Sequence, residues 1–117
     1  MLDASMDDAR SFLPLSPQQF HILLALTDQP RHGYGIILEV DARTDGALRL
    51  GTGTLYTAIA RLLALALVAE TGQTDDRRRF YRLTPLGRAV LQAELSRLEA
   101  LVRHARDKGV RPVRVRS

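Results

Sequence analysis

A mainly α domain closed by one small β-hairpin is the fold class this sequence predicts, on three observations. Apolar residues recur at helical spacing in separate stretches, most regularly in GTGTLYTAIARLL. The stretch from LVAE through GQTDDRRR to FYRL alternates weakly instead and reads as two strands and a turn. A last stretch repeats apolar residues in steps of four, three and four, the seam period of helices that pair. The order is helix, helix, helix, hairpin, helix, with no internal repeat.

Residues 1–15 read as an N-terminal arm, frayed or forming a short helix. Ser16-Pro17-Gln18-Gln19 opens the first clear helix: Ser16 can cap, Pro17 suits the first helical position, and Gln19 stands where a capping-box partner belongs. Phe20, Leu23, Leu24 and Ala25 follow on one side, widened by Ile22 and Leu26, and the helix should stop before Pro30. A second helix is expected from about Gly33 to Arg43, with Tyr34, Ile37, Leu38 and Val40 inward and Glu39 and Asp41 outward. Thr44-Asp45-Gly46 breaks it, and Leu48 and Leu50 suggest a short extended segment.

The third helix begins near Thr52, whose hydroxyl can cap free amides. Leu55, Ile59, Leu62 and Leu63 form its buried stripe, leaving Thr54, Thr57, Ala58, Arg61 and Ala64 opposite. Leu67–Thr71 and Arg79–Leu83 should be strands, joined by a long polar connection that includes Gly72, Thr74, Asp75 and Asp76. Phe80 and Tyr81 must then face opposite sides, one in the core and one shielding the hairpin. Thr84-Pro85 restarts helix, and Leu91, Leu95, Leu98 and Val102 draw the seam. The domain plan is therefore an arm at 1–15, a helix-and-hairpin unit at 16–84, a dimerisation helix at 85–107 and a disordered basic tail at 108–117.

With 117 residues, 45% apolar and 26% charged, the chain suits one ordinary globular domain. No run approaches the ~18 apolar residues of a membrane span. The acidic start MLDASMDDAR lacks the order of a secretory signal. The lack of cysteine removes disulfides and thiolate metal sites and fits a cytoplasmic location. His21, His32 and His104 have no metal-ligand spacing, and no glycine-rich phosphate loop, nucleophile elbow or paired carboxylates occur. Enzymatic function, cofactors and metals are accordingly not expected.

The net charge of +4 suits a polyanionic partner, and its distribution says more. Arg77, Arg78, Arg79 and Arg82 crowd the hairpin, whereas residues 1–9 hold three aspartates and no basic side chain. A helix presenting threonines, a tyrosine and an arginine, followed by a basic hairpin, is what a winged helix-turn-helix needs to read double-stranded DNA. Thr52, Thr54, Tyr56, Thr57 and Arg61 are the expected helix contacts, with Arg61 on phosphate. Arg77, Arg78 and Arg79 are the expected wing contacts, Arg79 having the option of turning inward. Tyr56 reads equally as a phosphate contact or a boundary aromatic, and His32 as a solvated turn residue rather than a phosphate ligand.

Tyr34-Gly35 in HGYGIILEV, Leu55-Tyr56 in GTGTLYTAIARL, and RRRFYRLTPLGR together resemble the PadR family of winged-helix regulators. The likeness runs from about Ser16 to Arg88 and continues in character to about His104. It implies a homodimer built on the last helix, a palindromic operator, and repression relieved by small hydrophobic or phenolic ligands. Some members hold planar drugs between tryptophans at the dimer centre. This chain has no tryptophan, so that arrangement does not carry over. Relatives also tend to place glycine where Ala66 stands, at the end of the third helix; alanine in a left-handed conformation there would cost about 1 kcal/mol. A sensor with DNA binding as its output, and a protein-interaction winged helix without DNA recognition, are the rival readings.

Overall fold

A computed structural model describes residues 8–114, apart from the side chain of Thr74, and bears out the helix-rich class. After a helical turn at residues 8–10 come α1 (Pro17–Ala25), β1 (Arg31–His32), α2 (Gly33–Arg43), α3 (Thr52–Ala64), β2 (Val68–Asp75), β3 (Arg78–Leu83) and α4 (Pro85–Asp107). The strands make one antiparallel sheet in the order β1-β3-β2. Residues 1–7 of the expected arm and 115–117 of the expected tail lie outside the described residues. The described part of the arm is packed, with Ala9 and Leu15 buried.

Local chemistry starts each helix. At α1 the capping box is complete: the Gln19 amide donates to Ser16 Oγ and the Ser16 amide to Gln19 Oε1, both at 3.1 Å. Thr84 caps α4 without a box, its hydroxyl accepting from the Gly87 amide at 2.9 Å ahead of Pro85. At α3 the expectation fails. Gly51 is the cap, without a side-chain hydrogen bond, and Thr52 is already helical. Its hydroxyl therefore sits one residue too late to serve as the cap.

The end of α3 settles the question at Ala66, which adopts the left-handed conformation at φ 62°. The Leu67 amide donates to the Leu62 carbonyl and the Ala66 amide to the Leu63 carbonyl, both at 3.0 Å. That pair of bonds is a Schellman motif, and it holds alanine where glycine would be relaxed. Thr84 Oγ1 also donates to the Ala66 carbonyl at 2.7 Å, tying the strained residue to the start of α4.

The core gathers Ile22 and Leu23 of α1, Ile36 and Val40 of α2, Leu55, Ile59 and Leu62 of α3, and Val90 and Leu91 of α4. Each such side chain removed from water contributes about 1.5–3 kcal/mol before entropy is charged against it. The inward face of α2 differs from expectation. It runs Gly33, Ile36, Val40, while Tyr34 and Leu38 are exposed and Ile37 is half-buried. The cause is the close approach of α3 at Gly33, where a Cβ would collide with the Tyr56 hydroxyl. Glu39 is half-buried rather than outward, between Arg31 at 3.7 Å and Arg43 at 3.0 Å.

The hairpin also differs. Its strands are longer than expected and its connection shorter: only Asp76 and Arg77 lie between β2 and β3. Both have positive φ, 53° and 68°, as a type I′ turn requires. The extra residues expected in the loop are absorbed by an irregularity between Glu70 and Thr74, which contains Gly72 at φ 83°. The third strand, β1, was not foreseen. It is two residues long and pairs Arg31 with Tyr81 and His32 with Phe80.

Candidate nucleic-acid interface

Because α3 buries Leu55, Ile59 and Leu62, the opposite face is presented outward: Thr54, Thr57 and Arg61 are exposed, and Ala58 is half-buried. Thr52 is exposed beside them. A Cβ added at Gly51 or Gly53 would meet nothing within 4 Å, so the start of the helix stands clear of the fold. This surface has short side chains and hydroxyls that can donate or accept, the chemistry needed to approach base edges. Ser16, Gln18 and Gln19 at the start of α1 border the same depression as Gly53, Thr54, Thr57 and Arg61. The sequence reading missed that neighbourhood, since no spacing along the chain places α1 beside α3.

Tyr56 is about half exposed, and its hydroxyl lies over Gly33. It therefore packs on the start of α2 while an edge of the ring stays accessible. Tyr81 is the core member of its pair, and Phe80 is half-buried. Burial holds the Tyr81 phenol above its ordinary range, with Tyr56 and Glu70 adding to the effect and Arg79 opposing it.

On the wing, Arg77, Arg78 and Arg79 are all exposed. Arg77 occupies the turn itself. Arg79 does not turn inward; it reaches Glu70 across the hairpin at 3.7 Å, and both remain open to solvent. Arg78 Nη1 comes within 3.0 Å of His32 Nε2.

His32 is not a solvated turn residue. It is half-buried and caps α2, its Nδ1 accepting the Gly35 amide at 3.0 Å while its ring meets Phe80 edge-on at 5.2 Å. The signal was present in HGYG, where a polar side chain stands three residues before an amide that needs an acceptor. Arg31 is committed elsewhere. Its Nε donates to the Ala25 carbonyl at 2.8 Å, and its Nη2 lies 3.2 Å from Asp28.

The seam on α4 divides. Leu91 is buried in this chain's own core, because it lies on the first turns of the helix where α1 packs over it. It is therefore a core residue, not a free seam residue as expected. Leu95, Leu98 and Val102 are exposed at 43%, 37% and 40%, and Leu101, unremarked in the sequence, joins them at 50%. Between core and seam sits Glu94, whose carboxylate is 97% buried and bound by Arg97 at 2.6 and 3.0 Å and by the Leu15 amide at 3.2 Å. The Arg97 hydrogen bond holds this carboxyl below its ordinary range against the opposing effect of burial, with the Leu15 amide assisting.

Among the described residues no group of His, Cys, Asp and Glu could hold a metal ion, and no helix is long and apolar enough to cross a membrane. The family profile described as "Transcriptional regulator PadR-like family" matches residues 22–93. The transcriptional regulator Rv3488 of Mycobacterium tuberculosis is 39% identical over 87 residues, covering 73% of this chain and 78% of that protein. A 37.1 kDa protein of transposon TN4556 from Streptomyces fradiae is 43% identical over 76 residues, 65% of this chain but 21% of that protein, so this chain spans about a fifth of its length. A solved PadR family transcription regulator from Clostridium difficile R20291 superposes with a TM-score of 0.68 at 20% identity, over 81% of this chain and all of that one; at such identity it shares the fold.

Proposed function

This chain belongs to the PadR-like family of transcriptional regulators, DNA-binding proteins rather than enzymes, and on that premise we propose that it is a homodimeric repressor of a palindromic operator. The observation that carries the reading is the exposed face of α3, where Thr54, Thr57 and Arg61 stand opposite a stripe of which Leu55, Ile59 and Leu62 are buried and Leu63 is half-buried rather than buried as expected. Thr54 and Thr57 read base edges, Thr52 and Arg61 bind phosphate, and Tyr56 supports α3 from its edge. Arg77, Arg78 and Arg79 attach the wing to the flanking backbone. Leu95, Leu98 and Val102 join two subunits, so that half-sites fall about one helical turn, ~34 Å, apart.

An effector of the small hydrophobic or phenolic class would lodge where the seams meet. The concavity lined by Leu95, Leu98, Glu99, Val102 and Arg103 supports this reading. Titration of planar aromatic compounds into the protein–DNA complex tests it: release of the duplex supports an effector, and no release removes one from the proposal.

Selection of bound sites from random duplexes, followed by a salt titration, tests the DNA reading. A palindrome is expected. Arg77→Ala with Arg78→Ala should weaken binding to every sequence and lower the slope of log K against log salt by about 1.8, two phosphate contacts' worth. An unchanged slope removes the wing from the interface.

A further inference from the structure

His32 stands at the junction of the sheet and α2, as the last residue of β1 and the cap of α2. Its Nδ1 accepts the Gly35 amide. A ring nitrogen that accepts carries no proton, so in the neutral ring the proton is on Nε2, which must then donate. Phe80, opposite His32 in the sheet register and edge-on to its ring, holds the imidazole in that orientation.

Nε2 lies 3.0 Å from Arg78 Nη1. A guanidinium has donors only. Two N–H donors therefore converge with no acceptor between them. A second proton on the ring does not relieve this, because it would set Nδ1–H against the Gly35 amide and a further positive charge beside Arg78. Turning the ring away is blocked, since the cap bond and Phe80 constrain it, so without an acceptor only the exposed Arg78 side chain can give way. An oxygen that accepts from both groups resolves it.

No acidic side chain takes that place: among the described residues Arg78 enters no ion pair, Glu70 pairs with Arg79, and Asp28 and Glu39 pair with Arg31. The neighbouring cation is thus neutralised while Arg78 is left for an external anion. We propose that His32 Nε2–H and the Arg78 guanidinium form a two-point clamp on a single phosphate group. The source of that phosphate, the backbone of a bound duplex, rests on the DNA-binding reading above; the clamp itself rests on the donor geometry. It fixes the wing relative to the start of α2 and sets register on the duplex without reading sequence.

The test compares the full chain with His32→Asn, Arg78→Ala and the double variant on the selected duplex. Asparagine keeps a strong capping acceptor for α2 but lacks the distal donor, and thermal melting checks that the fold is retained. His32→Asn should weaken binding about tenfold, the effect of one charge-assisted hydrogen bond, with the salt slope unchanged. Arg78→Ala should weaken it and lower the slope by about 0.9. Because both groups hold one phosphate, the double variant should bind little worse than Arg78→Ala alone. Losses that multiply, or wild-type affinity in His32→Asn, overturn the clamp.

Nitrogen NMR of the His32 ring supplies an arm independent of DNA. Nδ1 should appear unprotonated, and Nε2–H should shift saturably with inorganic phosphate in the wild type but not in Arg78→Ala. A proton on Nδ1 overturns the clamp. If the wild type bound no duplex, a phosphate-induced shift would keep the anion site and discard the DNA reading, whereas no shift would discard both.

Discussion

Gly87 admits no side chain. A Cβ there would overlap the Leu67 carbonyl oxygen and lie 3.0 Å from its carbon, both parts of a backbone held by the Schellman bonds. Gly33 is the contrasting case, because the Cβ would meet the end of the Tyr56 side chain, which has solvent to swing into. Gly87→Ala should therefore cost about 1–3 kcal/mol of overpacking, read from the urea midpoint. Glu94 is the second residue whose surroundings decide its behaviour. Its carboxyl titrates below the ordinary 4.5, so its contribution is fully present above that pH and is lost as pH falls through the lower folded value. Glu94→Gln should be about 1–3 kcal/mol less stable at neutral pH. Its deficit against the wild type should narrow in acid; an equal deficit at both pH values would remove the ion pair as the cause.

Among the elements, the end of α3 carries a strain that the sequence announces by alanine in place of glycine. Ala66→Gly should relax it, raising stability by about 1 kcal/mol and the melting temperature by a few degrees, with the helix boundary unchanged. The wing tip carries a similar cost. Arg77 holds φ 68° where asparagine or glycine would be at ease, and a charge kept at such a position fits a phosphate-binding wing. Helix starts at Ser16 and Thr84 and the buried stripe of α3 were legible, because capping and periodicity act within a few residues. The two-residue turn was not. Gly72, Thr74, Asp75 and Asp76 look like a loop by composition, but β3 supplies the partners that extend β2 to Asp75 and leave only Asp76 of the four in the turn. The strand β1 was equally hidden, since Arg31 and His32 are extended only by pairing with Tyr81 and Phe80.

At the scale of the whole molecule, α4 extends about 35 Å, more than the domain can cover. Its first turns carry the buried Val90 and Leu91, and its later turns display Leu95, Leu98, Leu101 and Val102. Leu98→Glu should break the proposed dimer, giving a single-subunit sedimentation coefficient at micromolar concentration with helix content retained. A variant that stays dimeric would place the interface elsewhere. Local sequence alone determined the order of α1 to α4 and the hairpin, the threonine-bearing face of α3 and the basic wing, because these depend on side-chain period and on caps within one turn. Only the tertiary structure decided that Leu91 belongs to the core, that Glu94 binds the arm, that Tyr34 faces out, and that His32 meets Arg78. Each of those outcomes depends on a neighbour tens of residues away, and the period of a helix or strand says which residues share a face but not what that face will meet.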